Sequence, residues 1–351
     1  MTSITQGKLR GLETLSDPKG VIRAAAMDQR GSLLKSIAKA KGVDAKLVTH
    51  AMLSEFKTAV TKILTFYASA ILLDPEYGLE AVKSKNPNSG VLLAYESSGY
   101  DNTKPGRIPD LLEDWTVSRL IQAGADAIKV LIYYHPNDKK EVNAIKHAFV
   151  ERIGAECAHH DVPFFLEFVG YPVDGTEGND LEFAKQKPKM VANSMKEFSK
   201  PQYGIDILKV EIPINMKFTE GTQSFKGTKA YTRKEALQFF RETAQVAKKP
   251  FIYLSAGVDD DEFRESLELA AESGVRFAGV LCGRATWKEG IPVYAKEGVK
   301  ALENWLKDRG VKNIQALNAA LDKTARPWFE IYGGRDKIQV TDKAGNPAVP
   351  A

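Results

Sequence analysis

Residues Ala127–Tyr133 read AIKVLIY, and residues Ile205–Ile212 read IDILKVEI. Both are short, almost continuously apolar runs, the composition of strands buried on both faces. Each carries a lysine near its middle, Lys129 in the first and Lys209 in the second. Six further runs of the same kind accompany them: Val21–Ala26, Ala70–Leu73, Val91–Ala94, Val162–Val169, Pro250–Leu254 and Arg276–Leu281. Between runs the apolar residues change to helical spacing, as in Leu53, Phe56, Val60, Ile63 and Tyr67, in Val142, Ile145, Phe149 and Ile153, and in Val299, Leu302 and Leu306. Strand followed by helix, eight times over, predicts parallel strands joined by right-handed crossovers. A closed (β/α)8 TIM barrel of the α/β class accommodates eight units better than an open, doubly wound sheet.

The chain has 351 residues, 43% of them apolar and 27% charged, enough core material for one large domain or two ordinary ones. No Gly/Pro/Ser-rich linker interrupts it, so a single barrel domain is expected over 1–328. Ile314, Leu317 and Leu321 share one face of a helix expected to pack on the outside of the barrel. Residues 329–351 are polar and Gly/Pro-bearing, without apolar period, and read as a short C-terminal extension, a tail or an oligomer arm. The 49 basic and 45 acidic residues are interspersed, which argues against nucleic-acid or membrane partners. Two cysteines, Cys157 and Cys282, fit a reducing, cytoplasmic setting. The first 20 residues lack a signal-peptide pattern, and no apolar stretch approaches the roughly 18 residues that span a bilayer. Exposed barrel helices leave a homo-oligomer open.

In such a barrel the chemistry sits at the carboxyl ends of the strands. The first run ends in AMDQRG, which puts Asp28, Gln29 and Arg30 there, although Asp28 equally suits a helix N-cap. Lys129 and Lys209 are the sharper signal. A buried ammonium loses its hydration and needs a partner or must shed its proton. Alternate strands share an interior layer, so the two lysines can approach one another and lower each other's pKa, leaving an amine nucleophilic toward carbonyls. The plainer reading pairs each lysine with a carboxylate such as Glu167 or Glu211, or lets it snorkel out of the barrel's end. Glu167, inside FFLEFV, is placed to exchange protons if its apolar surroundings raise its pKa. The seventh and eighth runs end in YLSAG and LCGRATW. Ser255, Gly257, Gly283 and Arg284 there offer backbone N–H groups and a guanidinium to a phosphate, with ordinary turn chemistry as the alternative.

Other chemistries find little support. The five histidines form no HExxH motif, and no GxSxG, Walker A or GxGxxG appears. His159 and His160 suit a helix carboxyl end. Phe56, Phe66 and Tyr67, on one helix, read as core.

In order along the chain stand AMDQRG, ILLDPEYG, LLAYESSGYD, DAIKVLIYY, ERIGAEC, PFFLEF, DILKVEIPIN, YLSAGV and VLCGRATW. The sequence thereby resembles the class I tagatose 1,6-bisphosphate aldolases from about residue 8 to about residue 328. The resemblance implies a barrel without metal or cofactor that cleaves a phosphorylated ketose, tagatose 1,6-bisphosphate, to dihydroxyacetone phosphate and glyceraldehyde 3-phosphate. It further implies that Lys209 forms the Schiff base, that Lys129 is its pKa-lowering and substrate-orienting neighbour, and that Glu167 shuttles protons. Asp28 and Gln29 would hold sugar hydroxyls. Ser255, Gly257, Gly283 and Arg284 would cradle the ketose-side phosphate, with Arg30 toward the other. Members of the family are expected to stop near the end of the barrel, whereas this chain continues through Tyr332 to Ala351. The lysine-rich stretch KFTEGTQSFKGTKAYT bears on the substrate's distal end. Fructose 1,6-bisphosphate and 6-deoxy-6-sulfofructose 1-phosphate are alternative substrates for the same chemistry. A sugar-phosphate sensor on the same barrel is the alternative outside catalysis.

Overall fold

The computed structural model describes residues 2–97, 105–174, 178 and 180–347. Ten strands occur among them: β1 (Thr2–Thr5), β2 (Ile22–Met27), β3 (Ala70–Leu73), β4 (Gly90–Ala94), β5 (Ala127–Tyr133), β6 (Phe164–Val169), β7 (Ile207–Glu211), β8 (Phe251–Leu254), β9 (Gly279–Cys282) and β10 (Ile338–Thr341). Strands β2 to β9 close into a parallel barrel in sequence order, with β2 pairing both β3 and β9. All eight apolar runs of the sequence are therefore barrel strands, displaced at their ends by a few residues at most.

The two-residue period of a strand sorts each run into inward and outward sets. Ile128, Val130 and Ile132 of β5 pack outward with Phe164, Leu166 and Phe168 of β6 in the layer beneath the helices. Ala127, Phe165, Ile207 and Ile252 fill the barrel's interior with Ala24, Ala26, Leu72 and Leu92. Lys129, Glu167 and Lys209 each stand two residues beyond Ala127, Phe165 and Ile207, so they inherit the inward direction. The helix Gln6–Thr14 stoppers the other end of the barrel with Leu9 and Leu12, followed by Leu15.

Some helical expectations shift. The helix His50–Leu64 buries Leu53, Phe56, Val60 and Ile63 but ends before Phe66 and Tyr67. Those two rings are 67% and 38% exposed, so only Phe56 of the three aromatics is core. In Lys140–His160 the buried stripe is Asn143, Lys146, Val150, Ile153 and Cys157, while Ile145 is exposed. Two buried polar residues rotate that stripe away from the one the apolar spacing indicates. Ile314, Leu317 and Leu321 are buried as expected. The extension does not hang free over its paired part: β10 pairs in parallel with β1, and Trp328 is buried with its N–H donating to the Gly20 carbonyl at 2.9 Å. A local apolar period cannot reveal this strand, because its partner lies at the opposite end of the chain. Among the described residues no helix is long and apolar enough to cross a membrane.

Closure depends on a glycine. Gly279 opens β9 at φ +133°, in register with Ile22, and a Cβ there would lie 1.9 Å from the Ile22 carbonyl oxygen. The contact is with backbone on the closing seam, so no rotamer change relieves it. Gly279→Ala should destabilise the protein by about 3 kcal/mol or more in chemical denaturation. Gly42→Ala, also at positive φ but in open space, should cost only about 1 kcal/mol. Equal losses at the two positions would contradict this account of the seam.

Candidate active site

The carboxyl ends of the strands surround a cavity of about 530 Å³. Asp28, Gln29, Arg30, Glu167, Lys209, Ser255, Gly257, Gly283 and Arg284 all line it. A second cavity of about 500 Å³ opens at the amino ends of β8 and β9, beside Arg276, Trp328 and Glu330. It has no lysine–carboxylate cluster in its lining, which sets it apart from the first.

Lys129 and Lys209 are brought together through one oxygen. Glu167 Oε2 accepts from Lys209 Nζ at 2.8 Å and lies 2.9 Å from Lys129 Nζ. Register explains part of this, since Glu167 and Lys209 are direct partners on β6 and β7. The plainer reading of the lysines holds as far as pairing goes: both are paired, and the carboxylate they share is Glu167. Glu211 has another assignment, accepting from the Gly170 N–H at 2.7 Å and pairing with Lys187 at 3.2 Å.

Lys129 differs from the expectation of two ammoniums depressing one another. It is 0% exposed and donates to Asp28 Oδ2 at 2.8 Å and Glu96 Oε1 at 2.7 Å besides its contact with Glu167. Burial works against its charge, but Asp28, Glu167 and Glu96 outweigh burial and raise its pKa well above the usual lysine value. Lys129 is consequently a fixed cation beneath the floor and reaches the cavity through carboxylates. Asp28 answers in kind. Burial favours its neutral form, yet Lys129 and Lys209 hold its carboxyl well below the ordinary range. Arg30, not Asp28, occupies the N-cap position of the following helix, Gly31–Lys41, so Asp28 belongs to the site and not to a cap.

Glu96 was not singled out in the sequence, although it follows β4 at the same strand-end position type as Asp28 follows β2. Burial raises its pKa against the pull of Lys129 and Arg30. Its Oε2 is buried and has no hydrogen-bond partner among the described residues. Arg30 is 5% exposed and donates to Glu76 Oε2 at 2.6 Å and to the Glu96 carbonyl at 2.7 Å. The guanidinium is engaged with these two residues, while Ser32 and Lys35 of the next helix also line the cavity.

Across the cavity, Ala256 and Gly257 adopt φ of +48° and +80°. A Cβ on Gly257 would fall 2.4 Å from Arg284 Nη2, so the absent side chain is what lets the guanidinium lie over the turn. Arg284 has no ion-pair partner among the described residues. The Gly257 carbonyl accepts from Lys288 Nζ at 3.3 Å, which braces the turn. Lys217, from the lysine-rich stretch, lines an adjoining cavity of about 400 Å³ that shares Ser255, Ala256 and Gly257 with the first.

Residues 22–289 match the model of DeoC/LacD family aldolases. The chain is similar to a tagatose 1,6-diphosphate aldolase of Listeria innocua, with 49% identity over 343 residues covering 98% of this chain and 100% of that one. A tagatose 1,6-diphosphate aldolase 2 of Enterococcus faecalis is 51% identical over 342 residues, 97% of this chain and all of that one. With coverage this high, the segment beyond the barrel is shared with these relatives, contrary to the expectation that they end there. In shape the chain is similar to a fructose-bisphosphate aldolase of Plasmodium falciparum, with a TM-score of 0.65 and 13% identity, covering 93% of this chain and 98% of that one. That likeness concerns the fold.

The charge balance at the floor is testable by stability. Lys129→Met removes the ammonium that offsets three carboxylates and should cost about 3–5 kcal/mol at pH 8. In the variant Glu96, whose pKa burial already raises, loses the opposing pull of Lys129 and lies further above its unfolded value near about 4, and Asp28 loses one of the cations that hold its carboxyl low. The variant's deficit therefore grows as pH rises above the unfolded values and shrinks as pH falls toward them. Thermal melts of both proteins at pH 5 and pH 8 measure this, and a deficit no larger at pH 8 would contradict the assignment.

Proposed function

The chain belongs to the DeoC/LacD family of aldolases, and from that premise we propose that it reversibly cleaves tagatose 1,6-bisphosphate to dihydroxyacetone phosphate and glyceraldehyde 3-phosphate through an imine on Lys209. The observation that carries the reading is the single oxygen, Glu167 Oε2, held between Lys209 and the permanent cation Lys129. A carboxylate in this position can take a proton from the Lys209 ammonium, releasing the nucleophile, and return one where the chemistry requires it.

In the proposed sequence the Lys209 amine adds to C2 of the ketose, and Glu167 delivers a proton to the departing hydroxyl as water is lost. The resulting protonated imine is an electron sink. Glu167, now ionised, removes the proton of the C4 hydroxyl, and the C3–C4 bond breaks with its electron pair passing to the imine as an enamine. Glyceraldehyde 3-phosphate leaves. Protonation of the enamine at C3 and hydrolysis of the imine then release dihydroxyacetone phosphate and restore Lys209. Since the imine accepts the electrons, the sequence uses neither a metal nor a cofactor.

Asp28 and Glu96, both ringed around Lys129, face the sugar hydroxyls with Gln29, and the unpartnered Glu96 Oε2 supports that role for Glu96. The ketose-side phosphate lies against Ser255, Gly257, Gly283 and Arg284. The distal phosphate points toward Ser32 and Lys35, with Arg30 orienting that wall through Glu76 and Glu96. The choice of tagatose follows the names of the relatives. A cytoplasmic setting follows from the substrate, because a doubly phosphorylated sugar does not cross a membrane unaided.

Borohydride reduction with dihydroxyacetone phosphate, in the presence of a chelator, should label Lys209 in peptide mass mapping. Lys209→Met should abolish the label, and Glu167→Gln should lower kcat about 10²- to 10⁴-fold with less change in KM. A folded, ligand-binding protein with no labelled lysine would overturn the imine reading.

A further inference from the structure

The strand end that carries Asp28 rests on a lysine that no step above employs. Lys57, from the helix His50–Leu64, is 0% exposed and runs beneath the end of β2. Its Nζ donates to the Met27 carbonyl at 2.7 Å and to the Gln29 carbonyl at 2.8 Å, with Asp74 as its third partner. Asp74 is equally buried, at 0%. It is fixed just past β3, where its Oδ1 accepts from the Tyr77 N–H at 2.9 Å and its carbonyl accepts from the Gly78 N–H at 3.0 Å.

The two carbonyls belong to the residues on either side of Asp28. Met27 is the last residue of β2 in register with β3, opposite Leu73, so the sheet ladder no longer holds the backbone at Gln29. By Arg30 the chain has turned away, with φ −114° and ψ −88°. One ammonium that bridges the carbonyls flanking Asp28 orients the peptide planes on both of its sides. Around Lys57 the helix buries Leu53, Phe56 and Val60, and Thr61 one turn on is the other polar residue buried there. A buried ion pair is generally no more stabilising than apolar side chains of the same volume, so packing does not account for a charge here. An apolar side chain could fill the space but could not turn two carbonyls inward.

We propose that Lys57 is a positioning residue for the aldol chemistry, clamping the Met27 and Gln29 carbonyls so that the Asp28 carboxylate meets Lys129 and the Gln29 side chain meets the cavity. The inference rests on the aldolase reading above. Lys57 does not line the cavity and acts through Asp28.

The test removes both charges together, so that neither is left buried alone. Lys57→Met/Asp74→Leu should melt within a few degrees of the wild-type protein, yet form the borohydride-trapped imine about 10- to 100-fold more slowly, with KM for the bisphosphate changed less than about threefold. On an Asp28→Asn background the same double replacement should cost less than about threefold, because the group it positions is gone. Asp74→Asn retains Lys57 and its two carbonyls, and should stay within about threefold of wild type. If Lys57→Met/Asp74→Leu does not fold, Lys57→Gln replaces it, with an intermediate loss expected because its amide can still donate to a carbonyl.

Three results would overturn the proposal. One is imine trapping at the wild-type rate in the folded double variant. Another is a loss that adds in full on the Asp28→Asn background. The third is Asp74→Asn trapping as slowly as the double variant, which would make the counter-charge and not the clamp responsible. A wild-type protein that traps no imine would fail the aldolase reading instead, which keeps the two failures distinguishable.

Discussion

An ammonium enclosed by three carboxylates forms the floor of this site. Lys129 on β5 meets Asp28 from the end of β2, Glu96 from the end of β4 and Glu167 on β6. Removing Lys129 takes away the one charge all three carboxylates share, so their placement depends on it. The arrangement needs room inside the barrel. Ala24, Ala26, Ala94 and Ala127 line the interior on β2, β4 and β5, the strands that carry Lys129, Asp28 and Glu96. Bulkier Phe165, Ile207 and Ile252 fill the interior on β6, β7 and β8.

Around that floor the buried supports lie apart from the groups that face the cavity. Lys209 stands at the cavity, in contact with the same Glu167 oxygen that Lys129 holds. Lys57 and Asp74 stand behind it, Lys57 holding the Met27 and Gln29 carbonyls, while Arg30 at the cavity wall is engaged by Glu76 and the Glu96 carbonyl. At the opposite end the barrel's interior is closed by the apolar Leu9, Leu12 and Trp328. The candidate site and the apolar plug thus stand at opposite ends of the barrel, as the architecture generally arranges them.

Much of this was legible residue by residue. The eight apolar runs announced the strands because a strand's burial on both faces is written in consecutive residues. Lys129, Glu167 and Lys209 stood out because a charge inside such a run has no ordinary explanation. Asp28 was ambiguous, since an acid between a strand and a helix suits a cap as well as a site. Glu96 and Lys57 were not distinguished. An acid just past a strand is common, and a lysine on an amphipathic helix looks like any surface lysine until the fold turns it inward.

The order of elements, the inward direction of the two lysines and Glu167, and the cluster of small residues and Arg284 after the last two strands were determined by the sequence itself, because each depends on a period or a run within a few neighbouring positions. The tertiary structure alone decided that Lys129 is held charged, that Arg30 is engaged by Glu76 and Glu96, and that β10 returns to β1. Those outcomes turn on distances between residues far apart in the chain. Electrostatic energy falls with separation in space and is indifferent to separation in sequence, so only the closed barrel could assign these charges their partners.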